Sequence, residues 1–218
     1  MSIFFVNDGG SAVINFGGFN PPSQELVTQG IIVPPIITNP VLGDAYFDST
    51  KLINSLAVPQ VLLGTSGNDI LTGRDGNDTL QGLQGNDILQ GQGGDDIFFG
   101  GQGNDTLFGG EGNDLLSGDQ GQDLLTGNSG NDIFILPVSA AISNMNNVDI
   151  ITDFIIGEDQ IGLTEGLNQN NILLTSTVIN GTPGTLISVI NSNQFLGFVA
   201  NLSPGGLINQ FIAINLNN

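Results

Sequence analysis

Between residues 64 and 135 one apolar side chain recurs every nine positions with no insertion: Leu71, Leu80, Leu89, Phe98, Leu107, Leu116, Leu125 and Phe134. Polar and glycine positions keep the same step. Each nonapeptide opens on Gly64, Gly73, Gly82, Gly91, Gly100, Gly109, Gly118 or Gly127. Its fourth residue is Gly67, Gly76, Gly85, Gly94, Gly103, Gly112, Gly121 or Gly130. Its sixth is Asp69, Asp78, Asp87, Asp96, Asp105, Asp114, Asp123 or Asp132. The fifth is Asn except at Asp95 and Gln122. Self-similarity at a fixed period marks a stack of repeated units. A flexible Gly/Asn/Asp linker has no reason to keep Leu in step.

One unit reads as a long turn followed by a short strand. Gly and Asn tolerate positive φ and suit a tight turn, and the central apolar residue then points to one face of the strand. Two successive units make turn–strand–turn–strand, a flattened ring. The expected fold is all-β, a parallel β-roll, that is, a two-sheet solenoid of eight nonapeptide repeats with the eighth-position residues inside. Four rings at ~4.8 Å spacing give a roll roughly 19 Å long.

The flanks carry weaker patterns. Residues 2–6 and 12–16 read as short strands, and the run Ile31-Ile32-Val33-Pro34-Pro35-Ile36-Ile37 suits an edge or an extended arm because of its prolines. After the repeats, β-branched and aromatic runs at 171–179, 185–190, 194–200 and 207–215 predict strands, with turns at Asn180-Gly181 and at Ser203-Pro204-Gly205-Gly206 between them. The expected domains are an extended N-terminal β arm (1–63), the roll (64–135) and a β-rich C-terminal cap (136–218). Seventh- and ninth-position residues such as Ile97, Phe99, Phe108, Leu115, Ile133 and Ile135 point outward, so a cover from the flanks or from a neighbouring molecule is expected.

Composition narrows the chemistry. The 218-residue chain carries 21 acidic side chains against Lys51 and Arg74, a formal charge of −19, with no His and no Cys. Such a polyanion repels nucleic acid and anionic membranes. No apolar run reaches transmembrane length, and Met1–Asp8 lacks the basic start of a secretory signal, so neither membrane insertion nor that export route is expected. Soft metal ligands, the usual general base and the thiol nucleophile are missing. Carboxylates remain, and they suit Ca²⁺ or Mg²⁺.

Stacking sharpens that choice. The eight units hold 19 Gly, whose extra chain entropy costs on the order of 10–20 kcal/mol. It also sets Asp69, Asp87, Asp105 and Asp123 in one column and Asp78, Asp96, Asp114 and Asp132 in another. Like charges about 5 Å apart push such a stack open. A cation between successive aspartates reverses the sign, with carbonyls of the turn glycines (Gly67, Gly76, Gly85, Gly94, Gly103, Gly112, Gly121, Gly130) completing an oxygen shell. Two columns of four have six gaps, and six Ca²⁺ bring +12 to a segment holding 12 acidic residues and Arg74.

The pattern resembles the RTX nonapeptide G-G-x-G-x-D-x-U-x, a known Ca²⁺-binding repeat. The second glycine is kept only at Gly101 and Gly110. Thr65, Arg74, Leu83, Gln92, Asp119 and Asn128 replace it, which predicts strained turns and unequal sites. The segment from Val148-Asp149 through Asp153-Phe154 to Asp159-Gln160-Ile161 is similar to one that follows RTX rolls in cyanobacterial and proteobacterial secreted proteins. The resemblance implies type I secretion on an uncleaved C-terminal signal, hence an extracellular location. Asp149, Asp153 and Asp159 read as solvated turn acids, with a further Ca²⁺ as the second choice.

The function expected is a secreted, Ca²⁺-binding structural protein that self-associates into a cell-surface or matrix filament or layer. A monomeric Ca²⁺-dependent adhesin or an ice-binding-like β-roll is the alternative. An RTX-tailed hydrolase is remote: without His there is no zinc-protease site, no G-x-S-x-G occurs, and residues 1–63 are too short for such a catalytic domain. The chain therefore reads as no enzyme.

Overall fold

The computed structural model describes residues 5–7, 12–14 and 57–214. The chain divides into two compact units, Met1–Lys51 and Leu52–Asn218. In the first, β1 (Phe5–Asn7) pairs antiparallel with β2 (Ala12–Ile14), Phe5 opposite Ile14. The proline-interrupted run 31–37 lies outside the described residues.

In the second unit the nonapeptides form a parallel β-roll. Its strands are β3 (Val61–Leu63), β4 (Ile70–Thr72), β5 (Thr79–Gln84), β6 (Ile88–Gly93), β7 (Ile97–Gln102), β8 (Thr106–Glu111), β9 (Leu115–Gln120), β10 (Leu124–Ser129) and β11 (Ile133–Leu136). Strands alternate between two sheets, so each pairs with the next but one along the chain. Leu80 stands opposite Phe98, Phe98 opposite Leu116, and Phe134 opposite Leu116. The period of nine produces this register, because two repeats return the chain to the same sheet. Leu80, Leu89, Phe98, Leu107, Leu116, Leu125 and Phe134 are all fully buried between the sheets.

The strands are longer than the sequence suggests. From β5 to β10 each spans six residues, and the turns between them are correspondingly short. The strands run on past the first-position glycines, and pairing resumes beyond them with Leu83 opposite Gly101 and Gln84 opposite Gln102. Flexibility made these glycines look like turn residues. Their actual requirement is space, since a Cβ on Gly91 would lie 2.5 Å from the Gly109 carbonyl oxygen of the next coil.

The cap continues both sheets. β12 (Asp149–Ile151) adds to β10 and β13 (Gln160–Leu163) adds to β11, both parallel. β14 (Ile172–Ile179), β15 (Thr182–Val189) and β16 (Phe195–Ala200) form an antiparallel meander whose β16 joins β12. The predicted strand at 207–215 is partly corrected. A short helix, Pro204–Leu207, starts on proline, whose fixed φ suits a first helical position, and β17 (Phe211–Ala213) follows beside β13. The sheet orders are β3-β5-β7-β9-β11-β13-β17 and β4-β6-β8-β10-β12-β16-β15-β14. Among the described residues no helix is long and apolar enough to cross a membrane.

The expected cover over the outward apolar residues is uneven. Ile135 is fully buried, and Phe99, Phe108, Leu115 and Ile133 are half-buried. Ile70, Ile88, Ile97 and Leu124 stay exposed, so the roll keeps apolar surface there.

Candidate metal centre

Each turn stacks on the equivalent turn two repeats later, and two ladders hold it there. At the fifth position Asn86 N–H donates to Asn68 Oδ1, and Asn104 N–H to Asn86 Oδ1. At the sixth position the direction reverses, and each aspartate amide donates to the carboxylate of the following coil. In one column the donors are Asp69, Asp87 and Asp105 and the acceptors Asp87, Asp105 and Asp123, at 2.7–2.8 Å. In the other, Asp78, Asp96 and Asp114 donate to Asp96, Asp114 and Asp132 at 2.6–2.9 Å. The aspartates from Asp78 to Asp132 are 1–2% exposed.

These bonds use Oδ1 only. The Oδ2 atoms of Asp87, Asp96, Asp105, Asp114 and Asp123 are buried with no hydrogen-bond partner. A buried, unpaired carboxylate oxygen is costly, so something must compensate it. The first-position glycines show what surrounds it. A Cβ on Gly100 would touch Asp105 Oδ2 and stand 2.7 Å from the Gly118 carbonyl oxygen, and one on Gly82 would meet Asp87 Oδ2 and the Gly100 carbonyl at 2.5 Å. The orphaned oxygens of Asp87, Asp96, Asp105 and Asp114 therefore look onto the first-position carbonyl of the next coil, in a niche that only glycine leaves open. Among the described residues no three acidic side chains converge on one point. Backbone carbonyls must supply the remaining oxygens. Buried carboxylate plus carbonyl is a hard donor set, and it fits Ca²⁺.

The fourth-position glycines named above sit elsewhere in the same turn. From Gly76 on they have positive φ and stack on one another, with Gly94 against Gly76 and Gly112 against Gly94. A Cβ on these glycines would meet the backbone of the coil before it, whereas a Cβ on a first-position glycine would meet an aspartate.

The second positions divide the turns into two kinds. Leu83, Gln92, Asp119 and Asn128 adopt positive φ, as Gly101 and Gly110 do. Thr65 and Arg74 do not, and their amides donate to Asp69 Oδ2 at 2.6 Å and Asp78 Oδ2 at 2.8 Å. Four of the six departures from the second glycine therefore hold a left-handed conformation that a side chain strains, and only Thr65 and Arg74 form a different turn.

Burial pushes the carboxyls upward. Desolvation, opposed by the backbone hydrogen bond and aided by neighbouring carboxylates, raises Asp96, Asp105 and Asp132 to about 6 and Asp114 to about 7. Desolvation raises Asp123 and Asp149, with repulsion from Asp149 adding to the rise at Asp123 and repulsion from Asp119 and Asp105 adding to it at Asp149. Burial also raises Asp159.

Reading Asp149 and Asp159 as solvated turn acids is corrected here: they are 4% and 3% exposed. β12 and β13 extend the two sheets and carry these residues into the sixth-position slots of one more coil. Asp123 N–H donates to Asp149 Oδ1 at 3.1 Å and Asp132 N–H to Asp159 Oδ1 at 3.0 Å. The columns have five members, not four. Asp153 is half-buried and accepts from Gly127 and Asn128.

Residues 61–89, 72–107 and 99–134 match the family described as RTX calcium-binding nonapeptide repeat (4 copies). In fold the chain is similar to the AlgE6R2 subunit of the mannuronan C5-epimerase of Azotobacter vinelandii, at 22% identity and TM-score 0.44, over 76% of this chain and 99% of that one. The AlgE6R3 subunit from the same source is 21% identical at TM-score 0.26, over 83% and 86%. The extracellular lipase LipA of Serratia marcescens is 18% identical at TM-score 0.30, over 72% of this chain and 40% of the lipase. No curated protein matches the chain.

Proposed function

We propose that this chain, whose residues 61–134 are RTX calcium-binding nonapeptide repeats, is a secreted structural protein whose roll folds as Ca²⁺ enters the aspartate columns, and whose subunits then assemble. The observation behind this reading is the set of five buried, partnerless carboxylate oxygens. Ca²⁺ supplies positive charge and accepts a flexible all-oxygen shell. Residues that would hold it are the aspartates two repeats apart, Asp69/Asp87, Asp87/Asp105 and Asp105/Asp123 on one edge and Asp78/Asp96, Asp96/Asp114 and Asp114/Asp132 on the other. Each pair makes one site; four of them begin on an orphaned oxygen, whereas in Asp69/Asp87 and Asp78/Asp96 the first Oδ2 also accepts from the Thr65 or Arg74 amide.

Extracellular Ca²⁺ modules bind with dissociation constants of about 10⁻⁴–10⁻³ M. In a low-Ca²⁺ cytosol the columns repel and the chain stays open for type I export; outside, it closes. Assembly is supported by the roll's first coil. Among the described residues β3 and β4 end the two sheets, and Val61, Leu63 and Ile70 are 77%, 61% and 73% exposed there. An open parallel edge of this kind invites another strand. Strand addition by residues 1–40 of the next subunit is a head-to-tail contact that need not close, and it generates a filament.

A Ca²⁺ titration of the full chain from EGTA upward, followed by circular dichroism and light scattering, tests both parts. The β signal rises with Ca²⁺, and mass growth follows. A chain lacking residues 1–40 gains the signal without the mass. An equal β signal in EGTA overturns the folding reading, and a full-length monomer at high concentration in Ca²⁺ overturns assembly.

A further inference from the structure

The gap between Asp123 and Asp149 lies beyond the nonapeptides. The spacing from Asp123 to Asp149 is 26, where Asp105 to Asp123 is 18. No first-position glycine precedes Asp149, since Asn144 stands in that place. The register is nevertheless that of another coil, with Leu124 opposite Ile150 and Ile150 N–H donating to the Asp123 carbonyl at 2.8 Å. Asp123 is 1% exposed and its Oδ2 has no partner. The Asp149 carboxylate repels that of Asp123, and Asp119 and Asp105 add their repulsion at Asp149. On the outside, Gln122 Nε2 donates to the Asn146 carbonyl at 2.6 Å and latches the two turns together.

The opposite edge is built differently. Asp159 Oδ2 accepts from Ile155 N–H at 2.7 Å, and the Asp153 oxygens accept from Gly127 and Asn128 at 3.0 and 2.8 Å. There, backbone amides neutralise the cap's carboxylates. At Asp123 and Asp149 none does beyond the single bond of each rung.

We infer a further cation site between Asp123 and Asp149, which holds one hard divalent ion of the Ca²⁺ class and fastens the cap to the last coil. Its counterpart between Asp132 and Asp159 takes none. The inference rests on the Ca²⁺ reading of the columns, and it adds a site that the repeat alone does not contain. It makes the columns asymmetric at their C-terminal end: one edge is closed by an ion, the other by hydrogen bonds.

Ion counts on the full chain in Ca²⁺, read by native mass spectrometry, test it with Asp149→Asn and Asp159→Asn. Asn at 149 keeps the acceptor for Asp123 N–H and removes the charge. Asp149→Asn binds one ion fewer than wild type, and Asp159→Asn binds the same number. If wild type binds ions and Asp149→Asn keeps the full count, this site is wrong while the repeat sites stand. If wild type binds none, the reading of the columns itself fails. Should Asp149→Asn show no β signal in Ca²⁺, a crystal structure of wild type grown in Ca²⁺ decides. An ion touching both carboxylates supports the site, and its absence there overturns it.

Discussion

Replacing Asp105 by Asn should have opposite effects with and without Ca²⁺. Asp105 is 2% exposed, its Oδ1 accepts the Asp87 amide at 2.8 Å, and its Oδ2 is orphaned. Asn keeps the acceptor, loses the charge and turns an amide group toward the niche beside the Gly118 carbonyl. In the ion-free roll, burial lifts Asp105 from 3.8 to about 6, equivalent to about 3 kcal/mol against the ionised form. Removing that charge stabilises the ion-free roll by about the same amount. With Ca²⁺ the sign changes, because Asp105 faces two gaps, one shared with Asp87 and one with Asp123. Losing both ions costs about 3 kcal/mol at ten times Kd and about 8 kcal/mol at a thousand times. The two stability curves therefore cross near ten times Kd. Urea unfolding of both proteins by far-UV circular dichroism across a Ca²⁺ series measures this. A variant weaker than wild type in EGTA, or stronger at saturating Ca²⁺, refutes the account of the columns.

Acid should partly replace calcium. Asp96, Asp105 and Asp132 titrate near 6 and Asp114 near 7 in the ion-free fold. The folded chain thus binds more protons than the unfolded one between about pH 4 and 7, and stability falls as pH rises through that window. Ca²⁺-free protein keeps more β signal at pH 4 than at pH 7.5, and the reverse order contradicts the burial of these carboxyls. Leu83 holds φ 78° while 42% exposed, so Leu83→Gly raises stability by about 1 kcal/mol, read as a higher urea midpoint in Ca²⁺. Gly100→Ala pushes a methyl against Asp105 Oδ2 and the Gly118 carbonyl and costs about 1–3 kcal/mol plus an ion. Gly166→Ala, with open space around it, costs only the backbone strain of about 1 kcal/mol. Equal ion counts for these two variants would show that the glycine niche is not where the ion sits.

The roll was legible because its information is periodic. One Leu or Phe in each nonapeptide is enough to set the register, and every such residue from Leu80 to Phe134 is fully buried. The strand limits were not legible, since Gly82 or Gly91 looks the same in sequence whether it serves a turn or a tight stack. The two columns could be read from the doubled period. Their fifth members could not, because Asp149 and Asp159 follow their predecessors at spacings of 26 and 27, without the first-position glycine that marks a repeat. The local signal was slight: Asp149 opens the run Ile150-Ile151-Thr152, and Asp159 precedes Gln160-Ile161. The second-position residues were legible as departures from glycine. Their division into left-handed and ordinary turns depends on backbone geometry that one residue type does not dictate, as Arg74 and Gln92 illustrate.

The placement of the antiparallel meander also sets a direction for folding. β14 and β15 pair across a tight turn at Asn180 and Gly181, and β15 and β16 across a short connection, so this part forms from near neighbours in the chain and needs no ion. It presents β16 as a finished rim onto which β12 and then β10 can lay down. Each later coil touches only the coil before it, so growth is one-dimensional and each step is templated by the last. Nucleation at the meander would spread order toward the N-terminus and leave fraying at the opposite end. Amide exchange protection then declines coil by coil from Leu125 through Leu107 and Leu89 to Leu71, the one member of that row left half-buried.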